Sequence, residues 1–153
     1  MSLLSMHQKL SLRNETTPPA QFRCRFLCVL KFLLADGSKL RTWTEFYARE
    51  QWILADYPDQ VTLPLQVFRI GGLAVAQWPG EIFAISGLNL KQRSPVKPLF
   101  NISMANGWYG YIPPPEQHAA GSYETWRGRT SPLATNAIPQ ITEAFLKLLE
   151  KTK

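Results

Sequence analysis

The alternation of Val61, Leu63, Leu65 and Val67 with Thr62, Pro64, Gln66 and Phe68 constrains this chain most. Side chains two apart share one face of a strand, so four aliphatics in that rhythm demand a sheet with one face against a core. Gly71-Gly72 then supplies a two-residue hairpin turn, and Leu73 to Trp78 reads as the returning strand. Pro64 has no amide proton, which predicts an edge or an interrupted ladder at that point. Leu99 to Met104 reads as a further strand and Lys9 to Arg13 as a short early one.

Helical periodicity flanks this sheet. Thr17-Pro18 offers a cap and a first-turn proline for a helix running to about Ala35, apolar on more than one side, and Asp36-Gly37 closes it. From Thr42 to Asp56, Trp43, Phe46, Tyr47, Glu50, Ile53, Leu54 and Tyr57 recur at spacings of three and four. That is an apolar stripe with a single polar member, Glu50. A short helix is predicted over Ile82 to Leu90, interrupted by Gly87, with Glu81 at or just before its N-terminus. A last helix is predicted after Thr135 as cap, with Ile141, Phe145, Leu148 and Leu149 facing the core. The expected fold is α/β: a mixed β-sheet flanked by helices, in one domain of 153 residues. Residues 1–58 carry a strand and two helices, and residues 59–153 carry the α/β portion with the motifs.

Charge and cysteine usage remove several function classes. The longest apolar run, Phe26 to Ala35, is about half of what crosses a bilayer and contains Lys31. No secretory signal is visible at the N-terminus, and localisation stays undetermined. Cys24 and Cys28 lack a second ligand pair at zinc spacing and read as small core residues. The net charge of +6 comes from scattered Lys and Arg rather than a dense run, so nucleic acid is not the expected partner.

Three blocks bring polar side chains to turns where apolar runs end: Trp78-Pro79-Gly80-Glu81, Asn106-Gly107-Trp108-Tyr109-Gly110-Tyr111-Ile112 and Tyr123-Glu124. A carboxylate and phenols in such turns face a ligand without being buried unpaired. The plainer alternatives are that Glu81 caps the following helix, that Tyr111 and Tyr123 are half-buried aromatics, and that Trp78, Trp108, Tyr109 and Trp126 are packing residues. Arg127 and Arg129 fit either an anionic head group or a solvated turn.

The ordered trio, with Tyr123 twelve positions beyond Tyr111, resembles the C-terminal part of the catalytic domain of the neutral/alkaline, non-lysosomal ceramidases, in particular their bacterial branch. The resemblance implies a zinc amidohydrolase that cleaves the N-acyl amide of ceramide or a related lipid amide. It places Glu81 and Tyr111 among the zinc ligands and Tyr123 as the catalytic phenol near the substrate amide. Trp108, Tyr109, His118 and Glu124 fall to substrate binding. The family's two His ligands and its serine have no counterpart among residues 1–153, and His7 reads as incidental to a frayed end. The chain is therefore expected to be an incomplete domain of a larger hydrolase, inactive by itself and completed by a missing N-terminal part or a complementary subunit. The alternatives from other classes are a noncatalytic companion subunit and a basic binding module for acidic lipid or nucleic acid.

Overall fold

The computed structural model describes residues 3–13 and 42–153. The helix expected between Thr17 and Ala35, with Cys24 and Cys28, lies outside the described residues. A four-stranded mixed sheet carries the fold, in the order β1 (Leu3–Arg13), β2 (Gln60–Ile70), β3 (Leu73–Gln77), β5 (Leu99–Ile102). The first two pairings are antiparallel and β3 runs parallel to β5, as a crossover connection requires.

β1 is longer than expected and pairs with β2 along its whole length, from Leu3 opposite Ile70 to Arg13 opposite Gln60. Its own alternation explains this, because Met6, Leu10 and Leu12 share the face of Val67, Leu63 and Val61. His7 accordingly sits in a paired strand, opposite Gln66 and in contact with its amide, and not at a frayed end. Pro64 is tolerated because β3 pairs only with Gln66–Ile70, which leaves β2 locally without a neighbour on that side. There the Tyr109 hydroxyl donates to the Thr62 carbonyl at 3.2 Å.

On one face of the sheet, Leu63, Leu65, Val67, Ala74 and Ala76 are fully buried. The C-terminal helix α4 (Ala137–Glu150) covers them with Ile138, Ile141, Phe145, Leu148 and Leu149, the expected face. Its N-cap position is Asn136 rather than Thr135, and no side chain caps it. The Trp78 and Phe145 rings meet at 4.7 Å between centroids. Trp78 is fully buried, and its indole N–H donates to Asn101 Oδ1 at 3.0 Å while Asn101 Nδ2 donates to the Gly87 carbonyl at 2.9 Å. A buried indole is thus satisfied, as burial requires. The opposite face of the sheet carries Leu3, Ile70, Leu73, Phe100 and Ile102, all exposed.

Four further elements shape the site. α1 (Trp43–Leu54) opens with a capping box in which the Thr42 side chain accepts from the Glu45 amide and the Glu45 carboxylate accepts from the Thr42 amide. α2 (Ala84–Arg93) runs through Gly87 without a break and has Phe83, not Glu81, at its N-cap. Lastly, β4 (Glu81–Ile82) and β6 (Tyr111–Ile112) form a separate two-stranded parallel ribbon. Among the described residues, no helix is long and apolar enough to cross a membrane.

Candidate functional site

Glu81 belongs to a strand because its backbone is recruited by another segment. Its amide donates to the Gly110 carbonyl at 2.8 Å, three residues before the start of the helix that follows. That approach needs two glycines. A Cβ on Gly80 would lie 2.8 Å from the Gly110 carbonyl oxygen and 2.7 Å from Ile112 Cδ1. One on Gly110, whose φ is +59°, would lie 2.1 Å from the Thr130 carbonyl oxygen. Residues 104–109 are laced onto the Trp78-Pro79-Gly80 block by three backbone bonds: Ala105 to Trp78 at 2.9 Å, Tyr109 to Pro79 at 2.9 Å and Met104 to Gly80 at 3.1 Å.

The consequence is register. Glu81 and Tyr111 are direct partners in the parallel ribbon, so their side chains leave it on the same face. The second phenol arrives from a 3-10 turn, Tyr123–Thr125, packed against β6. The Tyr111 and Tyr123 hydroxyls stand 3.4 Å apart, with the rings edge to face at 5.6 Å between centroids. Tyr111 is held well above the ordinary range of a tyrosine, first by its hydrogen bond to Tyr123, then by loss of solvent and by the negative charge of Glu81. Tyr123 is about half exposed and closes one side of the pair.

The other expected residues distribute around this trio. Glu124 accepts from the Ser122 hydroxyl, the main reason its carboxyl lies below the usual range. Trp108 projects into solvent at 58% exposure. Tyr109 packs against the core and spends its hydroxyl on Thr62, an arrangement that already accounts for its presence. His118 is half-buried near the end of α3 (Pro115–Ala120), between the two tyrosines in sequence.

Two residues make contacts that the sequence did not reveal. Arg129 binds Glu50 of α1 with Nε at 2.9 Å from Oε2 and Nη2 at 2.8 Å from Oε1, and its backbone amide donates to Oε2 at 3.1 Å. Arg129 is thus a committed partner of a carboxylate and not a free anion-binding cation. Ser131 Oγ donates to the Tyr111 carbonyl at 2.6 Å, a contact that no local motif foreshadowed.

Glu81 and Tyr111 put a carboxylate and a phenol on one face of the ribbon, and oxygen donors of this kind could form part of a divalent-cation shell. Among the described residues no group of three or more His, Cys, Asp or Glu is placed to hold a metal ion.

No protein-family model and no curated protein sequence matches this chain. Among solved structures it is similar to the neutral ceramidase from Pseudomonas aeruginosa, with a TM-score of 0.58 and 19% identity over 97% of this chain and 28% of that one. It is also similar to a ceramidase described as complexed with C2, with a TM-score of 0.51 and 21% identity over 57% of this chain and 14% of that one. The chain has a ceramidase-like fold and spans less than a third of the length of either structure.

Proposed function

We propose that this chain is the C-terminal portion of a zinc-dependent, ceramidase-like amidohydrolase acting on the N-acyl amide of ceramide or a related lipid amide. The observation that carries the reading is the parallel register that sets Glu81 beside Tyr111, with Tyr123 at hydroxyl contact. In a complete enzyme Glu81 and Tyr111 would hold zinc together with donors from outside the described residues. Zinc, when bound, supplies polarisation of the amide carbonyl and a lowered pKa for water. Tyr123 would donate its hydroxyl proton toward the oxygen on which charge develops, an interaction worth about 2.7–4 kcal/mol in preorganised sites. Trp108 and His118 would meet the lipid part of the substrate, and Glu124 would orient the turn that carries Tyr123.

The test is hydrolysis of a fluorogenic N-acyl sphingosine with zinc present. The isolated chain is expected to show no turnover, because two donors bind zinc weakly. Robust turnover by the chain alone would contradict its reading as a portion of a larger catalytic unit.

A second reading, a noncatalytic companion completed by another polypeptide, is favoured by the exposed apolar face of Leu3, Ile70, Phe100 and Ile102. Monomeric proteins seldom leave such a surface open. Co-purification with a chain that supplies the remaining donors would support it.

A further inference from the structure

We propose that Glu50 and Arg129 are positioning residues that fix Tyr111 relative to Tyr123, making α1 a clamp on the site from behind. The proposal rests on the reading of Tyr111 and Tyr123 as functional phenols, but its test does not use metal or substrate.

The contacts form a continuous path. α1 presents Tyr47, Glu50 and Gln51 to residues 126–129: Trp126 meets Tyr47 edge to face at 5.1 Å, Gln51 Nε2 donates to the Arg127 carbonyl at 2.6 Å, and Glu50 takes three bonds from Arg129. Gly128 lies against the Glu50 side chain, where a Cβ would sit 3.3 Å from Glu50 Cβ. From this anchored stretch one branch runs backward and the other forward. Backward, the Trp126 amide donates to the Tyr123 carbonyl at 3.1 Å, which fixes the end of the Tyr123 turn. Forward, the turn closes through Ser131 N to Gly128 O at 2.9 Å, the Thr130 carbonyl packs on Gly110, and Ser131 Oγ holds the Tyr111 carbonyl. Both phenols thus take their backbone positions from one segment, and one helix grips that segment.

The chemistry of the grip favours orientation over stability. Glu50 is 4% exposed, and a buried ion pair gains little over apolar residues of the same volume, because desolvation offsets attraction. What a two-pronged guanidinium–carboxylate contact supplies is a fixed angle and separation. Glu50 also accepts the Arg129 backbone amide, so the main chain itself is held, and Arg49 adds a weaker contact at 3.4 Å.

The experiment is ring-resolved NMR of the tyrosine-labelled chain, with thermal melting in parallel, on Glu50→Ala, Glu50→Gln, Arg129→Lys and Thr42→Ala. Thr42→Ala weakens α1 through its capping box without touching the strut. The expected result is loss of the Tyr111–Tyr123 ring cross-peak in Glu50→Ala, partial retention in Glu50→Gln and Arg129→Lys, and full retention in Thr42→Ala. If Glu50→Ala does not fold, the milder Glu50→Gln and Arg129→Lys decide the matter. A cross-peak and Tyr111 ring shifts unchanged in Glu50 and Arg129 variants of lowered melting temperature would overturn the proposal. So would an equal disturbance by Thr42→Ala. Since no metal is added, failure of zinc to bind in a separate titration would count against the proposed function and not against the clamp.

Discussion

Gly110 makes the site possible at the scale of one residue. Its φ of +59° and the 2.1 Å that a Cβ would leave to the Thr130 carbonyl oxygen exclude any side chain without backbone movement. Gly110→Ala combines left-handed strain with a clash against main chain. Chemical denaturation should register a loss of about 3 kcal/mol. A loss no larger than that of an ordinary surface substitution would show that residues 110 and 130 are not in this contact. The glycines around Glu81 and Tyr111 were legible in the sequence as turns, and the carboxylate and phenols as polar groups bracketed by them. That Glu81 and Tyr111 come together was implied by the resemblance alone, and their pairing in one ribbon was not legible. Register across thirty residues depends on how closely Gly80 and Gly110 approach, and no local pattern encodes that distance. The same limit hid that Glu81, expected at or just before a helix N-terminus, is a strand residue.

Among the elements, α1 shows both what periodicity reveals and where it stops. Its bounds and apolar stripe follow from spacing, and Glu50 was visible as the one polar member of that stripe. The cation that justifies it lies 79 positions later, at an arginine that the sequence left open between an anionic head group and a solvated turn. This pair predicts a pH dependence. Arg129 hydrogen bonding holds the Glu50 carboxyl below its ordinary value of 4.5 against opposing desolvation, with smaller help from the charges of Arg129 and Arg49. The folded state thus binds the Glu50 proton less tightly than the unfolded state does. The pair's contribution is complete above that ordinary value and is lost as the pH falls through the lowered folded one. Denaturant stability measured from about pH 6 to about pH 3 should therefore decline less steeply in Glu50→Gln than in the native chain. Parallel declines would mean that Glu50 protonates alike in the two states. β1 teaches a related lesson, since its alternating apolar positions extend to Leu4 and Met6, yet weak patterning near the terminus concealed a strand fully paired with β2.

For the molecule as a whole, the mixed sheet flanked by helices was predictable because alternation, hairpin glycines and an amphipathic C-terminal helix all point to one arrangement. Strand order was not, because a parallel β3–β5 pair joined by α2 is a long-range choice. The fold is ceramidase-like, and the chain covers 28% of the Pseudomonas aeruginosa structure it is similar to. The proposed function depends on Glu81 and Tyr111 acting on one cation. The most direct test is a zinc titration of the chain with carbon-13 in the glutamate carboxyl and tyrosine ring positions, repeated on Glu81→Gln. The account predicts that the Glu81 and Tyr111 signals move together along one weak isotherm, and that the substitution abolishes the Tyr111 response. Zinc that leaves both signals in place, or that moves Tyr111 equally well without the Glu81 carboxylate, would contradict it.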